Sequence, residues 1–253
     1  MSVIISNKIN QLLTNTPFGV VLLSSSLEQQ GYSYSLQKRY VQSNWLQSIG
    51  HGAYMRVGDH VDIFGGLYAL QQTTSCPHIG GRTALNLQGY GQYLDLGNSN
   101  LVLFSETGNQ LPKWFRDNNW NHSHSFFTST FLPKEMGLRE HPVKEFSVPI
   151  SSPARAILEC LHLAPNHQEL SECYELMESL NNLHPQTVQS LLENCSSIKV
   201  KRLFLFLAEN FGHAWFRYID VSNISLGSGK RSIVSNGRYD TKYKITVPLE
   251  WKQ

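Results

Sequence analysis

The stretch Ser24–Arg56, SSSLEQQGYSYSLQKRYVQSNWLQSIGHGAYMR, decides how the chain reads. Ser24 to Ser26 offer N-cap oxygens ahead of Leu27, and Gly31 stops that short helix in the way C-terminal glycines do. Ser33 or Ser35 can cap a second helix, in which Leu36, Tyr40 and Val41 share one face at helical spacing. Gln37, Lys38, Gln42 and, nearer the edge, Arg39 take the other. Trp45, Leu46 and Ile49 then lead into the sharp reversal Gly50-His51-Gly52, and Ala53 to Arg56 return. Helix, glycine turn, helix, hairpin is a winged helix-turn-helix pattern, and its second helix suits the major groove of DNA. Glycine-linked helix pairs also occur without DNA, and Lys38-Arg39 also fits a solvated face. The combination favours DNA: Gln, Lys, Arg and Ser read base edges and phosphates, and carboxylates are nearly missing from this face.

Working outward, Ile4, Ile5, Ile9, Leu12 and Leu13 mark a first helix, stopped at Thr16-Pro17, that completes a trihelical core over residues 1–57. Asp59 is expected to cap a helix through Ile63, Leu67 and Leu70, with Gly65-Gly66 against it. Pro77 to Gly81 reads as a short strand and turn, Thr83 to Tyr93 as a helix with Ala84, Leu85 and Leu87 inward. Arg82 and His78 could touch a phosphate there. A boundary falls near Asp95 to Ser99. Beyond it come a strand at Leu101–Phe104, a helical turn at Leu111–Asp117, and strands at His124–Phe131 and Phe146–Ile150. Helices follow from Ser152-Pro153, Gln168, Pro185 and Ser197. The end, from Trp215, is β-like, with Tyr243, Ile245 and Val247 on one face of a closing strand. The expected class is α+β: an N-terminal winged helix-turn-helix domain (1–95), then a larger mixed α/β C-terminal domain (96–253) with a helical bundle and a small sheet.

At 253 residues the chain can bury one large core or two ordinary ones. A net charge of +2 lacks the basic excess of a histone-like protein, but the charge is uneven. From Ser197 onward ten basic residues face four acidic ones, an electrostatic footprint suited to a polyanion or, equally, a solvated surface. Lys199, Lys201, Arg202, Lys230 and Arg231 form the candidate patch. Lys199, Lys201 and Arg202 crowd the start of a helix, the unfavourable end of its dipole for cations, so something else must favour them there. The four cysteines form no C-x-x-C pair and read as buried thiols of a reducing cytoplasm. No secretory signal or membrane-length apolar run is visible.

Catalysis finds no local device. There is no G-x-S-x-G or H-E-x-x-H, and no cofactor motif. His122 and His124 share a strand face but lack a further ligand, so no metal is expected. Gly227-Ser228-Gly229-Lys230-Arg231 fails as a P-loop because Ile224 stands where a glycine is needed. It reads as a basic hairpin.

Several segments together resemble the AbiEi antitoxins. They are NWLQSIGHGAYMRVGD (44–59), HIGGRTALNLQGYGQYL (78–94), LPKWF (111–115), ISSPARAILECL (150–161), the run from Glu175 to Glu209, SLGSGKR (225–231) and KYKITVP (242–248). One departure is Asn44, where the family pattern has glycine; asparagine tolerates the left-handed conformation. The resemblance implies a winged-helix domain that binds operator DNA and represses its own operon, and a C-terminal domain needed for antitoxin activity. It also implies antagonism of a nucleotidyltransferase-like toxin without a stable complex. On this reading Gln37, Lys38, Arg39 and Gln42 face the major groove, Ser33 and Ser35 hold phosphates, and His51 sits at the wing tip. The basic C-terminal patch supports contact with DNA, RNA or the toxin's substrate. The alternatives are a protein-interaction module that keeps the helix-turn-helix without DNA, and an enzyme acting on nucleotides.

Overall fold

The structure, a computed structural model, describes residues 2–73, 76–91 and 100–251, with side chains of the first helix from Lys8 onward. The expected boundary at Asp95–Ser99 and the side chains of Ile4 and Ile5 lie outside the described residues. In chain order the elements are α1 (Ser2–Asn15), β1 (Leu22–Leu23), α2 (Ser24–Gln29), α3 (Tyr34–Gln42), β2 (Leu46–Gly50), β3 (Ala53–Arg56), α4 (Ile63–Leu70), β4 (His78–Ile79), α5 (Gly81–Leu87) and β5 (Leu101–Ser105). Then follow α6 (Lys113–Arg116), β6 (His124–Thr128), β7 (Leu138–Val143), β8 (Phe146–Ser151), α7 (Pro153–Leu163), α8 (Leu170–Ser179), α9 (Pro185–Asn194), α10 (Ile198–Asn210), β9 (Arg231–Ser232), β10 (Arg238–Asp240) and β11 (Ile245–Val247). Sheet orders are β1-β3-β2, β6-β5-β4-β8-β7 and β10-β11-β9. Two compact units result: Met1–His78 with Gly108–His124 and Glu140–Pro149, and Ile79–Thr107 with Ser125–Arg139 and Ile150–Gln253.

The first unit holds the winged helix-turn-helix. Ile9 and Leu12 of α1, Leu27 of α2, Tyr32, Tyr40 of α3, Leu46 and Tyr54 form one buried cluster, with Leu13, Leu36 and Val41 packed on it. Both α2 and α3 end in Schellman turns: Gly31 N–H reaches Glu28 O and Tyr32 N–H reaches Leu27 O, while Asn44 N–H reaches Val41 O and Trp45 N–H reaches Tyr40 O. Asn44 sits at φ 59°, the left-handed position its amide side chain tolerates. The helix starts differ from expectation. Leu23 is the N-cap of α2, and Ser24 Oγ instead donates to Gln37; Ser33 is the N-cap of α3, yet its hydroxyl makes no cap bond. Asp62, not Asp59, caps α4, accepting from the N–H groups of Phe64 and Gly65, and Asp59 accepts from Gly19 N–H at 2.7 Å.

The wing is antiparallel, Gln47 opposite Met55 and Ser48 opposite Tyr54, with a bulge before Gly50. Its base is tied to α1: Arg56 donates to the carbonyls of Leu13 (2.7 Å) and Thr16 (3.0 Å) and stacks on Phe18. Gly50 has to be glycine, because a Cβ there would stand 2.6 Å from Cβ of Trp114 on α6. Trp114, Phe115 and Trp120 form an aromatic knot, and His124 meets Phe115 edge-on while His122 meets Phe64. Those two histidines are thus half-buried ring partners; His124 opens β6 as a strand residue, while His122 precedes it.

The second unit is organised by α7. Ser152 caps it, with Pro153 in the first turn, as the sequence indicates. Arg155 and Glu159 do pair at i,i+4, at 2.8 Å, and both are buried. Glu159 also accepts from Ser151 Oγ (2.8 Å) and Gly81 N–H (2.9 Å), while Arg155 donates to the carbonyls of Pro133 and Met136. A Cβ at Gly80 would lie 2.4 Å from the Glu159 carboxylate, which explains the glycine pair ahead of α5 as close backbone approach. That helix stops at Leu87, short of Tyr93, and Leu87 is 40% exposed instead of inward. β7 went unrecognised in the sequence, and two 3-10 turns, Phe216–Tyr218 and Val221–Asn223, occupy much of the end expected to be β-like. Tyr243, Ile245 and Val247 are buried on one face as expected. Three of the cysteines are buried, and burial pushes the Cys173 thiol up to about 12.

Removing the Glu159 carboxylate would strand a buried guanidinium. Glu159→Ala is expected to cost about 3–5 kcal/mol, read as a lowered urea midpoint. Burial also holds His124, His141, His162 and His213 below the ordinary histidine range. Below about pH 6.5 unfolded imidazoles bind protons that the folded rings refuse, so stability should fall as pH drops through that value. Thermal scans between about pH 7.5 and 5.5 would show a declining Tm.

Candidate nucleic-acid interface

Of the six-residue set on α3 and its cap, the structure turns five outward. Ser33, Ser35, Lys38, Arg39 and Gln42 are exposed, and no carboxylate lies on α3. Lys38 Nζ sits 4.8 Å over the ring of Tyr34, one helical turn before it, and the Ser33 and Ser35 hydroxyls are 3.1 Å apart. Lys and Arg reach phosphates or guanine edges, Gln reads adenine, and hydroxyls bind phosphate oxygens, so the face has the groups needed for a duplex.

Gln37 is the exception and corrects the expected face. It is fully buried. Its amide donates to Tyr32 O (2.8 Å) and Ser24 O (3.2 Å), and its carbonyl accepts from Ser24 Oγ at 2.6 Å. It therefore pins α3 to the start of α2, setting the angle at which the exposed face is offered. The spacing contained this: Gln37 lies three and four positions before Tyr40 and Val41, on the inward stripe.

Two aromatic residues frame the face and were missed as surface groups. Tyr34 is 51% and Trp45 46% exposed. Each ring presents an amphipathic face to solvent beside α3. His51 is exposed at the wing tip as expected. Behind the wing, α6 buries Trp114 and Phe115 and leaves Lys113 and Arg116 exposed, two cations on a helical turn read in the sequence only for its proline start.

The C-terminal patch does not survive as a surface. Lys201 and Arg202 are 3% and 1% exposed. Arg202 donates to four carbonyls: Leu226 (2.8 Å), Gly227 (3.0 Å), Gly229 (2.5 Å) and Lys244 (3.1 Å). Half-buried Lys199 donates to His162 O and Ala164 O at the C-terminus of α7, the dipole end that favours a cation, and burial lowers its pKa. This answers why Lys199 and Arg202 are tolerated at the start of α10: their heads serve other segments. Lys230 and Arg231 remain exposed. Arg82 is engaged with Glu172, and His78 is buried.

Among the described residues no group of three or more His, Cys, Asp or Glu is placed to hold a metal, and no helix is long and apolar enough to cross a membrane.

Comparison with known proteins bears on the whole chain. Residues 5–96 match the family model described as "Transcriptional regulator, AbiEi antitoxin N-terminal domain", and residues 98–248 match "Transcriptional regulator, AbiEi antitoxin, Type IV TA system". A search of the curated proteins gives no match. Among solved structures, the RV2827C protein from Mycobacterium tuberculosis is similar in fold, with a TM-score of 0.59 at 11% identity over 95% of this chain and 89% of that one.

Gln37→Ala should lower stability by about 1–3 kcal/mol, since it leaves the Tyr32 carbonyl and Ser24 hydroxyl without their partner. Lys38→Ala, on the exposed face, should stay within about 0.5 kcal/mol of the parent. Paired urea melts separate the two.

Proposed function

Because the chain belongs to the AbiEi antitoxin family of transcriptional regulators from type IV toxin–antitoxin systems, we propose that it binds the operator of its own operon through α3 and the wing and so represses it. Lys38, Arg39 and Gln42 enter the major groove, Ser33 and Ser35 hold phosphates at its edge, and His51 follows the backbone at the wing tip. The observation that carries this reading is the exposed, carboxylate-free face of α3, set on a core that spends its own polar group, Gln37, internally. Regulation is assigned to residues 1–95 and antitoxin activity to 96–253. The opponent is a nucleotidyltransferase-like toxin, countered without a stable complex, as befits the type IV class.

Binding to the chain's own upstream DNA should weaken steeply with salt, log K falling by about 0.9 per phosphate neutralised for each unit of log salt. Lys38→Ala with Arg39→Ala should reduce affinity at least about tenfold, and the salt slope by about 1 for each lost phosphate contact. Gel shifts at several salt concentrations measure both. Unchanged affinity in the double variant would remove α3 from the interface, and a stable 1:1 complex with the neighbouring gene product, without retardation of DNA, would favour an interaction module.

A further inference from the structure

Arg202 shapes the loop that surrounds it. Its guanidinium takes the carbonyls of Leu226, Gly227 and Gly229, three peptide units of one short segment, plus that of Lys244. None of these acceptors is a carboxylate, so they solvate the buried charge without neutralising it. In a trans peptide the C=O and the following N–H point in opposite directions, and no cis bond occurs in this segment. With three carbonyls drawn inward to the guanidinium, the N–H groups of Gly227, Ser228 and Lys230 are turned away from it. Residues 227–231 are exposed, and a Cβ at Gly229 would meet nothing within 4 Å, so the approach is open. Lys230 Nζ lies 5.1 Å from the centre of the Tyr239 ring, and Arg231 follows, its own N–H tied to Lys244 O.

We propose that the loop Ser225–Arg231 is a phosphate-binding site. Outward amides, one serine hydroxyl, two exposed cations and a buried positive charge behind them make a set of donors for a phosphoryl oxyanion, as amide nests do. It is not a P-loop: Ile224 rules out that spacing, and the loop precedes a short strand, not a helix. The donors are held by a side chain from another helix, which is why the motif escapes a sequence pattern. The phosphoryl group can belong to a free nucleotide or to a nucleic-acid backbone, and the chemistry of the site is the same for both. This inference does not rest on α3.

The test is an amide-resolved NMR titration of the full chain with inorganic phosphate, a nucleoside triphosphate and a DNA duplex, each against chloride at matched ionic strength. The N–H signals of Gly227, Ser228 and Lys230 should shift together and saturate. Lys230→Ala with Arg231→Ala, both exposed, should weaken phosphate binding about tenfold or more while the spectrum elsewhere stays that of the folded parent. Saturation at lowest concentration by the triphosphate assigns the source to a nucleotide, by the duplex to a backbone. Lys38→Ala with Arg39→Ala should leave the phosphate titration unchanged, which separates this site from the operator reading. If the three amides do not move, or move equally in chloride, the site does not exist.

Discussion

The carboxylate of Glu159 is the constraint from which the second unit is built. A buried ion pair repays its desolvation only when its remaining donors and acceptors are met. Here Arg155, Ser151 and the Gly81 amide meet the carboxylate, and the carbonyls of Pro133 and Met136 meet the guanidinium. The start of α5, the first two turns of α7 and the segment before β7 are fixed by one charge. Gly80 is glycine because that charge occupies the space a side chain would need. Arg202 repeats the principle with the opposite sign, using carbonyls alone. The first unit orients its helices with an apolar cluster and one buried amide, Gln37; the second relies on buried charges whose bonds admit few alternative arrangements.

Much of this was open to reading in advance. The trihelical core, both glycine-marked reversals, the left-handed Asn44, the Ser152-Pro153 helix start and the Arg155–Glu159 spacing follow from local rules that tertiary packing here supports. The failures at polar residues share a cause. Gln37, Lys201 and Arg202 are polar, and polarity was read as exposure. Gln37 and Arg202 are buried because backbone carbonyls from segments distant in the chain, or from a neighbouring turn, supply their partners, and such partners carry no side-chain signature. α5 ended early for a different, local reason: Gly89, at φ 82°, follows Leu87 closely enough to close a Schellman turn, a stop that apolar spacing alone does not register.

The candidate interface shows the same division. Lys38 and Arg39 are exposed because α3 turns a polar stripe outward while Leu36, Tyr40 and Val41 hold its other side. Lys199 to Arg202 had a comparable density of charge but sit on a helix whose inward stripe, Val200, Leu203, Phe204 and Leu207, leaves it packed on several sides. Charge count alone does not separate a probe from an internal strut. What separates them is whether the helix has one buried side or several. Trp45 and Tyr34 show the converse, aromatic rings left half in solvent beside the probe helix.

The brace behind the wing has a consequence for how the molecule can be divided. Gly50 is met by Trp114, and Phe18 N–H by the Glu145 carboxylate, so hairpin and first helix lean on chain that arrives much later. A fragment ended at the boundary expected near Asp95 to Ser99 keeps every residue of the probe helix yet leaves these buttresses on the discarded half. Its hairpin would keep the Arg56 tie, the β1–β3 pairing and the buried Leu46 and Tyr54, but would lose the Trp114 seat against which Gly50 rests.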